Sequence, residues 1–247
     1  MDGVATSVLA ERKVEHVVAG KGMPAVVFEN GLGGRLEWWS KVLPDIATET
    51  TVFAYNRPGI GASAPATTPR SGVTIVEELR ATLRAKGIAP PYVLVGHSIG
   101  GLYVQLYARR HPDEVAGLVL VDSTHPEQLS GAGAREKWPG WVKLVVDLTS
   151  PEVAQEELDA LPATGAALLA LPPFTGRPVT VLSAAKPMSE DSELARDGNA
   201  KRIDIVRLNP GARQLWVDSS HAIPLEKPEA VVTAVREILS ILRRQQR

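Results

Sequence analysis

Short apolar runs rich in β-branched residues alternate along this chain with stretches whose apolar positions recur every three to four residues. Ala25–Phe28, Thr51–Tyr55, Tyr92–Val95, Leu118–Val121, Val179–Leu182 and Gln214–Val217 have the pattern of strands buried on both faces. Between the second and third, Val76, Leu79 and Leu83 fall on one helical face. Thr74-Ile75-Val76-Glu77 reads as its capping box and Gly87 as its stop. A last helix opens at Pro228, buries Val231, Val232, Val235, Ile238, Leu239 and Leu242, and ends in arginines that complement its dipole. Strands alternating with helices predict an α/β fold, a mostly parallel sheet covered by helices on both faces.

One segment breaks the alternation. From Ser123 to Gly176 no strand pattern occurs, only helical fragments such as 141–148 and 151–161, interrupted by Gly and Pro. Residues 1–122 and 177–247 are therefore expected to form the core, with 123–176 a small helical cap over the sheet's carboxyl edge, where open α/β sheets bind ligands. Two plain crossover helices are the alternative.

A chain of 247 residues with net charge −1 suits one such domain. The single basic cluster, Arg243-Arg244-Gln245-Gln246-Arg247, reads as a solvated helix end, and no basic–aromatic interleaving suggests nucleic acid. No segment has the apolar length of a membrane span, and the first residues lack a signal-peptide pattern, so the expectation is a cytoplasmic protein with a small-molecule partner. The oligomeric state is left open. Without cysteine, thiol catalysis is excluded. The five histidines are scattered without a His-Glu-x-x-His pattern, and Gly31 to Gly34 lacks phosphate-loop or dinucleotide spacing. Neither metal nor cofactor is expected.

The candidate chemistry centres on Gly96-His97-Ser98-Ile99-Gly100, between an apolar run and a helical pattern. A serine on such a strand-to-helix turn projects its hydroxyl from strained backbone, and small residues two before and two after avoid a collision across the turn. Ser98 needs a base, because a hydroxyl is barely nucleophilic at neutral pH. His221, in a polar loop after the last strand pattern, is the expected one; the chain order serine, acid, histidine points the same way. His16 reads as structural or exposed, His97 is too close to turn onto Ser98, His111 has a helix-end placement, and His125 stays open as a second candidate base. Phe28-Glu29-Asn30-Gly31-Leu32-Gly33-Gly34 lets backbone approach a substrate carbonyl. The N–H groups of Leu32 and Ile99 are expected to form an oxyanion hole.

At this point the chain resembles the α/β-hydrolase superfamily over nearly its whole length. Asn30-Gly31-Leu32-Gly33 looks like the oxyanion loop, and Asn56-Arg57-Pro58-Gly59-Ile60-Gly61-Ala62-Ser63 resembles its Arg-Pro-Gly-x-Gly-x-Ser turn. Asparagine stands at position 30 where the family usually has a histidine that shapes the loop. Similar enzymes usually carry their acid directly after the strand that here reads Val179–Leu182, yet Ser183-Ala184-Ala185-Lys186-Pro187 holds no carboxylate. Asp122, at the end of the preceding strand pattern, is where haloalkane dehalogenases place theirs, and is the expected acid; Glu190, Asp191 and Glu193 are the alternatives. Trp38 and Trp39 are candidate substrate-binding residues, with a core role equally open.

The resemblance implies a cofactor-independent serine esterase acting on carboxylic esters or related acyl bonds through an acyl-enzyme. Segment 123–176 is rich in Ala, Leu, Pro and Gly with few aromatics, so its composition predicts a modest apolar pocket under the cap and small to medium uncharged substrates. Relatives of the same fold suggest a lyase, a carbon–carbon bond hydrolase or a perhydrolase as alternatives, and a ligand receptor with a vestigial triad is another. Epoxide hydrolases and dehalogenases of this fold use Asp at the elbow, where this chain has Ser98.

Overall fold

Alternation within the apolar runs sorts their side chains onto the two faces of one sheet. In the computed structural model, which describes residues 3–140, 143, 144, 148, 150–186 and 191–245, the strands are β1 (Val4–Leu9), β2 (Arg12–Ala19), β3 (Ala25–Glu29), β4 (Val52–Tyr55), β5 (Tyr92–His97), β6 (Val115–Val121), β7 (Val179–Ala184) and β8 (Arg213–Val217). The helices are α1 (Leu43–Ala47), α2 (Gly72–Ala85), α3 (Ile99–Arg110), α4 (Glu152–Asp159), α5 (Leu161–Leu169), α6 (Glu193–Asp204), α7 (Ile223–Glu226) and α8 (Pro228–Gln245). The strand order is β1-β2-β4-β3-β5-β6-β7-β8. β2 runs antiparallel to both neighbours, and β4 through β8 are parallel. On one face Val27, Leu94, Leu118 and Leu120 pack with Leu79 and Leu83 of α2 and Leu102 and Leu106 of α3. On the other, Val26, Phe28, Val93, Val95 and Val119 pack with Val235, Ile238 and Leu239 of α8. Period-2 strands covered on both sides need apolar residues at every position, hence the continuous runs.

All six strand patterns are strands, but Gln214–Val217 is not buried on both faces: β8 lies at the sheet edge with Trp216 51% exposed. The β1–β2 hairpin is not delimited by the pattern. Its two-residue turn is Ala10 and Glu11, at φ 47° and 64°. Such turns usually announce themselves through Asn or Gly. The start of α2 also differs from expectation. Ser71, not Thr74, is the cap: its hydroxyl accepts the Thr74 N–H at 3.2 Å, so the helix begins a turn earlier than a Thr74–Glu77 capping box would place it. Gly87, at φ 74°, ends it.

Between β6 and β7, α4 and α5 meet at Ala160, where Pro162 in the first turn of α5 fits a new helix start. Of the fragment 141–148, only Lys143, Leu144 and Leu148 are among the described residues. Leu158, Leu161 and Leu168 join the cluster of α2 and α3, so this segment packs onto the existing core and shares it. The start of α4 presses on loops at the carboxyl edge: a Cβ on Gly33 would lie 3.5 Å from Pro151 and Ala154, and one on Gly59 only 3.0 Å from Val153.

Candidate active site

Ser98 sits between β5 and α3 at φ 55°, ψ −125°, a conformation that L side chains rarely adopt. Steric crowding explains the flanking glycines. A Cβ on Gly96 would lie 2.4 Å from the Gly100 carbonyl oxygen, and one on Gly100 would lie 2.5 Å from the carbonyl oxygens of Glu29 and Asn30. The Ser98 backbone is tied at both ends, its N–H donating to Val121 O (3.0 Å) and its carbonyl accepting from Thr124 N (2.9 Å). Ser98 is half-buried and opens onto two cavities that His221 also lines.

His221 follows β8. Its Nδ1 stands 2.6 Å from Oδ2 of Asp122. A carboxylate only accepts, so Nδ1 carries the hydrogen, which in the neutral ring leaves the lone pair on Nε2. The loop before it is held by Glu226 of α7, which accepts from the hydroxyls of Ser219 (2.9 Å) and Ser220 (2.6 Å) and from Ser220 N–H (2.9 Å). Asp122 closes β6 at φ 41°, another left-handed non-glycine position. Its Oδ1 accepts from Ala184 N at 3.0 Å and faces Arg202 Nε of α6 at 3.0 Å. Burial pushes the Asp122 carboxyl up, but the His221 bond, the Ala184 N–H and Arg202 together hold it below the ordinary carboxylate range. The alternative acids stand elsewhere. Asp191 is 96% exposed and paired with Arg196, Glu193 is exposed in the first turn of α6, and Glu190 lies outside the described residues.

The loop after β3 lies against the elbow: a Cβ on Gly31 would come within 3.0 Å of His97 Nδ1 and 3.4 Å of Ser98 Cβ. The Leu32 N–H makes none of the backbone hydrogen bonds among the described residues. The N–H of Ile99, in the first turn of α3, has no intrahelical acceptor. Both groups remain available to a negative oxygen. Asn30 ties the loop to β4 by donating to Tyr55 O at 2.8 Å. Arg57, fully buried, binds the loop's carbonyls at Asn30 and Gly31 (2.7 Å each), Glu29 of β3 at 2.6 Å, and both carboxylate oxygens of Glu157 of α4 at 2.8 Å. Burial raises the Glu29 carboxyl, against the pull of Arg57 and the Tyr55 hydroxyl.

One cavity, about 230 Å³, is lined by Ser98, Asp122, Ser123, Thr124, Gln128, Gly198, Arg202 and His221. This wall is mainly polar, which the composition of segment 123–176 does not suggest; the mainly apolar lining is that of the second cavity. The second, about 150 Å³, joins Gly31, Leu32, Gly34 and Trp38 to His97, Ser98 and His221. Trp38 therefore faces the site, whereas Trp39 is a correction: it is fully buried against Phe28, with ring centroids 5.0 Å apart, in the core beneath. The other histidines have structural partners: His16 Nδ1 is 3.1 Å from Val14 O, His111 Nε2 is 2.8 Å from Glu77, and His125 is bound by Asp204 and by Glu127 N–H. His97 has more to do than adjacency suggests. It stacks on Trp38, and its Nε2 donates to the His221 carbonyl at 2.9 Å. Burial, reinforced by the neighbouring His221, pushes its imidazole down to about 4. Its roles, like those of Glu157 and Arg202, depend on partners distant in the chain and leave no local signature; Arg57 lies in a recognisable turn motif, but its partner Glu157 is 100 residues away.

The profile of the α/β hydrolase fold matches residues 24–223, so the chain belongs to that family. An uncharacterized protein of Bacillus subtilis is 37% identical over 97 residues, 39% of this chain and 38% of that protein. The (lyso)-N-acylphosphatidylethanolamine lipase of Homo sapiens is 29% identical over 137 residues, half of this chain and 37% of the lipase. The chain thus spans less than two-fifths of these relatives. Among solved structures, the enol-lactonase from Burkholderia xenovorans superposes with a TM-score of 0.70 at 18% identity, covering 96% of this chain and 100% of that one. A putative lipase from Acinetobacter baumannii gives 0.73 at 20% identity, covering 98% and 93%. At these identities the structural likeness concerns the fold.

Proposed function

We propose that this protein is a serine hydrolase of carboxylic esters or related acyl bonds, acting on small to medium uncharged substrates through an acyl-enzyme. The observation that carries the reading is the 2.6 Å bond from His221 Nδ1 to Asp122, with His221 lining both cavities that Ser98 opens onto. Ser98 Oγ attacks the acyl carbon as His221 Nε2 takes its proton, and Asp122 stabilises the imidazolium. The tetrahedral oxyanion is received by the N–H groups of Leu32 and Ile99. Collapse expels the alcohol, which takes the proton from His221. Water, deprotonated by the same nitrogen, then releases the acid and restores Ser98.

Segment 123–176 serves as the cap. The two cavities, about 230 and 150 Å³, are smaller than the roughly 300–1,000 Å³ of pockets for drug-sized ligands, which suits short acyl and alcohol groups. The charges of Asp122 and Arg202 pair with each other, consistent with an uncharged substrate. The relative named as a (lyso)-N-acylphosphatidylethanolamine lipase, matched over half of this chain, supports ester or related acyl chemistry. The test is fluorophosphonate labelling with a panel of p-nitrophenyl esters of graded acyl length. Wild type should be labelled and prefer short to medium esters, and Ser98→Ala should lose both labelling and turnover while staying folded. Undiminished labelling of Ser98→Ala would refute the assignment.

A further inference from the structure

The carboxylate of Asp122 serves two side chains, His221 and Arg202. Oδ2 meets His221 Nδ1 at 2.6 Å and Arg202 Nη2 at 3.4 Å, while Oδ1 meets Ala184 N–H and Arg202 Nε, each at 3.0 Å. The acid is almost wholly enclosed, its side chain 2% exposed, and Arg202 is 18% exposed. Arg202 comes from α6, a different element from those that carry Ser98, Asp122 and His221, and its Nη1 rests on Asn199 one turn earlier at 3.4 Å. It also lines the 230 Å³ cavity with Ser98 and His221.

We propose that Arg202 is a positioning residue that acts through Asp122: it fixes the carboxylate toward His221 and, as a permanent cation there, extends turnover to lower pH. This rests on the reading of Ser98, His221 and Asp122 given above. The physical reason is competition. A triad acid stabilises the imidazolium, and a guanidinium on the same carboxylate repels that imidazolium while hardly affecting the neutral ring, so protonation of the base is disfavoured. At an effective dielectric of about 20, a unit charge several ångströms away shifts a titration by about one to two units, and partial exposure reduces this to roughly 0.5–1 unit.

The other groups around the pair are His97 on β5, Ser98 at the elbow, Lys186 after β7, Asp218 after β8 and Glu226 on α7. Lys186 and Asp218 are exposed and 4.0 Å apart, so their charges are screened and opposed. Glu226 is engaged by Ser219 and Ser220. His97, lowered to about 4, is neutral over the working range. Among the described residues Arg202 is the arginine or lysine paired with Asp122.

The experiment is the pH dependence of kcat/KM for p-nitrophenyl butyrate in wild type, Arg202→Met, Arg202→Gln and Arg202→Lys, with folding checked by thermal unfolding. The acidic limb should move to higher pH by roughly 0.5–1 unit in the Met and Gln variants and return most of the way in Arg202→Lys. Limbs of folded Met and Gln variants that coincide with wild type would overturn the proposal. So would loss of folding in both, which would assign Arg202 a structural role. Absence of ester turnover in wild type would count against the proposed function alone. Arg202 would then be read from an NMR titration of the His221 Cε1 proton, assigned with His221→Asn, in the same variants. The same displacement supports the proposal, and none overturns it.

Discussion

His97 Nε2 donates to the backbone carbonyl of His221 across 2.9 Å, so the residue before the candidate nucleophile anchors the loop of the candidate base. Because a carbonyl only accepts, this nitrogen must hold a hydrogen, and burial keeps the ring neutral down to about 4.

That neutrality ties stability to pH. In the unfolded chain the ring titrates near 6.5 and in the fold near 4, so between these values the unfolded state binds the extra proton. The contribution is complete above about 6.5 and is lost as pH falls toward 4, on the order of 3 kcal/mol in total. Urea unfolding across this range should show a shallower pH dependence in His97→Gln than in wild type. Identical slopes would mean that His97 titrates alike in both states.

Asp122→Asn is expected to lower kcat by about 10⁴, the scale seen when a triad carboxylate is neutralised, because the amide no longer stabilises an imidazolium on His221. Asp191→Asn and Glu193→Gln, both at exposed positions, should stay within about twofold of wild type. The opposite ranking in steady-state ester hydrolysis would move the acid to the later loop.

The fold was legible because its inner strands are covered on both faces and read as unbroken apolar runs; β1 and β2, at one margin of the sheet, do not, and β8, at the other, is partly exposed. Their turn at Ala10 and Glu11 carries no Gly or Asn, so nothing local delimits the hairpin. The elbow was legible for a steric reason that acts over five residues. The choice between Asp122 and the later carboxylates was not, since it depends on which side chain reaches a histidine 99 residues away. Trp38 and Trp39 are adjacent and chemically alike, and only the path of the chain sends one to the site and the other into the core. The polar cavity wall was hidden for a similar reason: Arg202 lies outside the segment whose composition suggested an apolar pocket.

The last expectation concerns Glu157, whose carboxylate meets Arg57 with both side chains 1% exposed. Arg57 also holds the carbonyls of Asn30 and Gly31, immediately before the Leu32 N–H. Removing one partner of a buried pair leaves a charge that water cannot reach, at a cost of about 3–5 kcal/mol. Glu157→Gln keeps one acceptor for Arg57 and should lose about 3 kcal/mol in urea unfolding. The exposed pair Arg213–Glu237 supplies the contrast: Glu237→Gln should change stability by less than about 1 kcal/mol. At temperatures where Glu157→Gln stays folded, loosening the candidate oxyanion loop should lower kcat by about tenfold, a fraction of the 10²–10³ lost when an oxyanion-hole donor is removed outright. A stability loss as small as that of Glu237→Gln would show that Glu29 alone suffices to hold Arg57 in place.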